Sequence, residues 1–164
     1  MFGSSSRPQS VAVFAPTGRD GQLAERVLGR WGMHVTSFPD AASIGAAIRK
    51  GVGVVILAEE CLVPGGRDEI ISALDEQPGW SDVPVIILTA EGELSRVIAD
   101  GVKALASRGN ATLLERPVRV ATLVTVTRAA LRARQRQYEL RDQLVARTPR
   151  RCHCSACGKL ARNG

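Results

Sequence analysis

One alternation constrains this chain more than anything else in it. Short apolar runs at 11–14, 34–38, 54–58, 83–89 and 111–114 are separated by segments whose apolar residues recur every three or four positions. The first pattern belongs to strands and the second to amphipathic helices. Two of the runs, VVILA and VPVIIL, are apolar at consecutive positions, which suits strands buried on both faces. Strands that alternate with helices pair in parallel through right-handed crossovers. The expected fold is therefore α/β, a doubly wound sheet of five parallel strands. In such sheets function sits at the carboxyl ends of the strands. That singles out Ala15 and Pro16, Glu59 and Glu60, Thr89 and Ala90, and 115–117.

The helical segments carry Leu23, Val27, Leu28 and Trp31 in the first, and Ile44, Ala47 and Ile48 in the second, with Asp40 placed to cap it. A short third has Ile70, Ile71 and Leu74, and the fourth shows a stripe of Leu94, Val97, Ile98, Val102 and Leu105. Aromatic residues are only 4%, so the core must be aliphatic. Charged residues at 23% and hydrophobic ones at 45% make a globular composition. No apolar run approaches the ~20 residues of a membrane span. Residues 1–9 read as a flexible polar lead-in without an apolar stretch behind the arginine. No cleaved signal peptide and no membrane association are expected, and a cytoplasmic address with reduced thiols follows.

Charge divides the chain. Residues 1–115 carry 10 basic and 14 acidic groups, whereas 116–164 carry 12 basic and 2 acidic. From 119 to 147 there is neither Gly nor Pro, so a long helix is expected to leave the domain edge. The expected divisions are a lead-in at 1–9, a domain at 10–133, a helical extension at 134–149 and a basic Cys-rich tail at 150–164. In the extension Leu131, Tyr138 and Val145 recur at seven, as do Ala130, Gln137 and Leu144. This reads either as a thin coiled-coil seam, giving a weak homodimer through the last helix, or as a solvated helix.

The order of elements, VPVIILTA at the fourth strand and LLERP at the fifth resemble the receiver domain of two-component response regulators, over roughly residues 10–133. The resemblance implies a flavodoxin-like fold. It also implies a site in which three carboxylates hold Mg²⁺, two after the first strand and one, the phosphoacceptor, at the end of the third. A hydroxyl after strand four and a Lys before a proline after strand five would grip the phosphoryl group. By position Thr89 matches the hydroxyl, and Arg116-Pro117 the Lys-Pro pair, with a cis bond implied between them. The acidic pair is replaced by Ala15 and Pro16, and the acceptor position holds Glu59 or Glu60. Counting back from Pro64 favours Glu60, and counting strand residues favours Glu59.

With those departures the chain is similar to a degenerate receiver, or pseudo-receiver, of the sort found as an N-terminal module of sensor histidine kinases. The expected function is non-enzymatic: protein–protein contact in a phosphorelay, with a histidine kinase or another two-component protein as partner. The resemblance suggests output through the fourth helix, fifth strand and fifth helix. Mg²⁺ binding and ordinary phosphorylation are not expected.

Two rival readings rest on other segments. VFAPTGRDGQLAERVL resembles the glycine turn of NAD(P)-binding Rossmann domains, with Gly18 and Gly21 in place, Ala15 where the first glycine is usual, and Asp40 near the position of a ribose-binding acid. In the tail, CSACGK has the shape of a zinc knuckle, with Cys152, Cys154 and Cys157 as candidate ligands beside His153. Eight arginines between 116 and 147 could face phosphates. They are not interleaved with stacking aromatics, so nucleic acid is not an expected partner.

Overall fold

The computed structural model describes residues 9–16, 19–92, 95–108 and 110–147. Strands β1 (Ser10–Phe14), β2 (His34–Phe38), β3 (Val54–Ala58), β4 (Val85–Thr89) and β5 (Ala111–Glu115) form one sheet. Helices α1 (Arg19–Arg30), α2 (Ala41–Lys50), α3 (Gly66–Asp75), α4 (Arg96–Ala106) and α5 (Val120–Arg147) connect or follow them. All pairings are parallel, in the order β2-β1-β3-β4-β5. This is the flavodoxin-like order, not that of dinucleotide-binding sheets, in which the third strand lies outside the second.

The alternation of side chains along each strand divides the core into two layers. Ala12, Val55, Leu57 and Ile87 face α2, α3 and α4, whereas Val11, Val13, Ile56 and Ile86 face α1 and α5. β3 and β4 are buried at every position, as consecutive apolar runs require, while the edge strands β2 and β5 are partly exposed. Asp40 caps α2 as expected, its carboxylate accepting from the Ser43 backbone N–H at 2.7 Å. In α1 the buried face is Gly21, Ala24 and Leu28, so Leu23 turns outward. Midway along α4, Gly101 packs so closely that a Cβ there would sit 2.9 Å from the Leu62 carbonyl oxygen.

α5 departs from the sequence expectation. Its contacts with the body continue past residue 133: Arg134 Nε donates to the Val52 carbonyl at 3.3 Å, and Gln137 bonds both the N–H and the carbonyl of Asp82. Tyr138 is buried and meets Trp80 edge to face, with ring centroids 5.1 Å apart. Tyr138 therefore does not belong to a free seam with Leu131 and Val145, because burial against the body satisfies it within one chain. What stays exposed on the extension is Leu140, Leu144 and Val145. Among the described residues no helix is long and apolar enough to cross a membrane.

Candidate functional site

The carboxyl ends of the strands gather one charged cluster, centred on Arg116. β5 ends at Glu115, and the chain turns through a cis Arg116-Pro117 bond before α5. The Arg116 backbone N–H donates to the Thr89 carbonyl at 2.8 Å, which fixes the root of the side chain against the end of β4. Its guanidinium then forks: NH1 reaches Asp20 Oδ2 at 2.6 Å, and NH2 reaches Glu60 Oε1 at 2.8 Å. Glu59 Oε1 lies 3.8 Å from the same NH2. Burial opposes the guanidinium's charge, but the hydrogen bonds and charges of Glu60 and Asp20 together outweigh it and hold the pKa above its ordinary value.

The two glutamates take different roles because β3 ends in a single turn of 3₁₀ helix, Glu59–Leu62. A strand would send adjacent side chains to opposite faces, whereas this turn keeps both near the sheet end. Glu59 is 8% exposed, and its Oε2 accepts the Ala90 backbone N–H at 2.9 Å. That bond fastens the loop after β4 to the end of β3. Glu60 holds the guanidinium with Oε1, while its Oε2 is buried with no hydrogen-bond partner among the described residues. Cys61, next in the turn, donates from Sγ to the Phe14 carbonyl at 3.1 Å, and burial pushes its thiol up to about 12.

Of the residues picked out by sequence, Glu59, Glu60, Thr89, Arg116 and Pro117 are therefore brought together. Thr89 contributes through its carbonyl. Ala15 and Pro16 follow β1 and offer no side-chain oxygen to a cation. Asp20 and Glu60 are each bonded to Arg116, and no group of three His, Cys, Asp or Glu among the described residues is arranged to hold a metal. Asp20 is a participant that the sequence analysis does not single out. Its signal is an acid in the first turn of the helix following β1. Gly18, Leu94 and the tail residues Cys152, His153, Cys154 and Cys157 lie outside the described residues.

Beside the cluster runs a cleft of about 480 Å³ between α1 and the start of α5. Leu23, Val27, Val120 and Leu123 line it, and Asp20, Glu91 and Arg116 stand at its polar end.

No protein-family model and no curated protein matches the chain. Solved structures do. NtrX from Brucella abortus, in complex with ADP, superposes with a TM-score of 0.63 at 20% identity, over 82% of this chain and 28% of that one. The chain thus spans less than a third of NtrX. A CheY-like response regulator receiver domain protein from Methanospirillum hungatei gives 0.60 at 19% identity, covering 79% of this chain and 99% of that one. A response regulator receiver domain protein from Bacillus halodurans gives 0.55 at 17% identity, covering 76% of this chain and 97% of that one. This chain has the fold of a response-regulator receiver domain, followed by a long C-terminal helix.

Proposed function

We propose that this chain is a pseudo-receiver: a non-catalytic module of two-component signalling that acts by binding another protein and is not phosphorylated in the usual way. The observation that carries the reading is the forked bond from Arg116 to Asp20 and Glu60. In the receiver it resembles, a cation and an incoming phosphoryl group meet at this end of the sheet. Here a guanidinium fixed to the chain neutralises the carboxylates that remain. Glu59, already bonded to the Ala90 N–H, fastens the loop after β4 without a phosphoryl group.

The partner is a sensor histidine kinase or another two-component protein. It is received on the face of α4, β5 and α5, where Val97 and Leu113 are exposed. A weak homodimer forms through Leu140, Leu144 and Val145 at the end of α5, strengthened by salt because its arginines repel. Sedimentation at two salt concentrations, with Leu140→Glu and Leu144→Glu as the disrupted form, checks that part.

The decisive experiment is incubation with acetyl phosphate and Mg²⁺ followed by intact mass. No adduct is expected. A labile phosphoryl adduct that disappears in Glu59→Gln or Glu60→Gln would overturn the reading.

A further inference from the structure

The opposite end of the sheet holds a feature the receiver reading does not use. A pocket of about 260 Å³ opens where α5 crosses the start of β3 and the segment before β4. Its lining is rich in donors and poor in acceptors. Arg49, Lys50, Arg134 and Arg141 contribute cations, against the single carboxylate of Glu76.

Two of those cations are already engaged. Arg49 bonds Glu69 and Glu76, each at 2.7 Å, and Arg141 bonds Asp142 at 2.6 Å. Lys50 and Arg134 form no ion pair among the described residues. Arg134 is only 1% exposed. Its hydrogen bonds go to neutral acceptors: the Val52 carbonyl, Gln137 Oε1 and the Tyr138 hydroxyl. Burial drives its pKa down, against the opposing pull of the Tyr138 hydroxyl and of the Asp82 charge. A guanidinium out of water that is offset by the Trp80 and Tyr138 rings, 5.6 and 4.7 Å away, and by the charge of Asp82, but by no ion pair among the described residues, is costly. Gln77 adds a second unmet donor. Its Oε1 accepts the Ser81 hydroxyl at 2.6 Å, while its Nε2 is buried with no hydrogen-bond partner among the described residues.

We propose that this pocket binds a phosphate-type oxyanion, held by Lys50, Gln77 and Arg134 with Trp80 and Tyr138 as its wall. Donors arriving from α2, α5 and the segment after α3 suit a tetrahedral group with several oxygens better than a planar carboxylate. The volume exceeds that of a bare phosphate ion, so a small phosphate monoester fits as well. Occupancy would clamp α5 to the body at the point where its last turns leave the domain.

The test is calorimetric titration of the full chain with inorganic phosphate, AMP and malonate at about 0.15 M salt, which screens diffuse attraction to the basic arm. A Trp31→Phe background leaves Trp80 as the sole tryptophan reporter. Saturable single-site binding of phosphate or AMP with a change in Trp80 emission is expected. Tighter binding of AMP would mark an ester as the ligand, and tighter binding of phosphate the free ion. Lys50→Gln, at an exposed helix end, and Gln77→Leu should each weaken binding about tenfold, the scale of one charge-assisted hydrogen bond. Arg136→Gln, exposed on α5 outside the pocket, should leave it unchanged. Binding of neither phosphate ligand, equal binding of malonate, or an equal loss in Arg136→Gln would overturn the proposal.

Discussion

Arg116 and Asp20, 96 residues apart in sequence, meet at 2.6 Å. Their bond ties the loop after β5 to the first turn of α1, and Glu60 on the same guanidinium draws the end of β3 into the knot. Removing the arginine leaves three partly buried carboxylates facing one another. Arg116→Ala should cost about 1–3 kcal/mol, reduced from the value of a fully buried pair because the side chain keeps 22% exposure. Arg116→Lys should recover only part, since a compact ammonium does not reproduce the planar fork whose two nitrogens each reach one acid. Urea denaturation at neutral pH measures both.

A second expectation concerns Gly101. Alanine in a helix normally gains about 1 kcal/mol over glycine. Here the added methyl would meet the Leu62 Cβ and carbonyl oxygen, both at 2.9 Å, and a backbone carbonyl yields little. Gly101→Ala should therefore destabilise by about 1–2 kcal/mol. A rise in melting temperature would show that the turn at Glu59–Leu62 can give way.

Cys61 should resist alkylation in the folded protein. Its thiol is held near pKa 12 by burial and donates to the Phe14 carbonyl, so thiolate is scarce at pH 8. Iodoacetamide labelling followed by peptide mass mapping should modify Cys61 only after denaturant is added. Labelling at native rates comparable to a free thiol contradicts this.

The acid limb of stability should depend on Asp75 and Glu76. Hydrogen bonds from Arg108, and from Arg49 together with Ser72, hold their pKa values below the ordinary 3.8 and 4.5. Groups whose folded pKa is depressed stabilise above the unfolded value, and that contribution is lost as pH falls through the folded one. Stability should therefore decline below the ordinary range, and Asp75→Asn or Glu76→Gln should flatten that decline. A pH titration of the urea midpoint decides it, with an unchanged slope as the contrary outcome.

The sheet was legible because its information is local. Runs such as VVILA announce a strand buried on both faces without reference to any partner, and Asp40 three residues before Ser43 is a cap in sequence as well as in space. The site was half legible. Thr89, Arg116 and Pro117 stand at strand ends, where topology alone places them. Glu59 and Glu60 stayed ambiguous because the choice depends on the turn after Ala58, which turns both toward the same end. Asp20 was hidden by its distance along the chain. Tyr138 was misread because heptad spacing cannot tell a partner helix from Trp80, which waits 58 residues upstream on the same molecule.

Arg116 also changes what can act on the cluster from outside. A diffusible ion at a carboxylate site answers to its own supply: it can be chelated, outcompeted or exchanged. A guanidinium attached to the backbone has a stoichiometry of one, set when the chain is made, and no chelator or metal starvation removes it. The positive charge that Arg116 brings to this end of the sheet is thus inherited rather than acquired, and it leaves only with a change of sequence or a physical displacement of the β5–α5 loop.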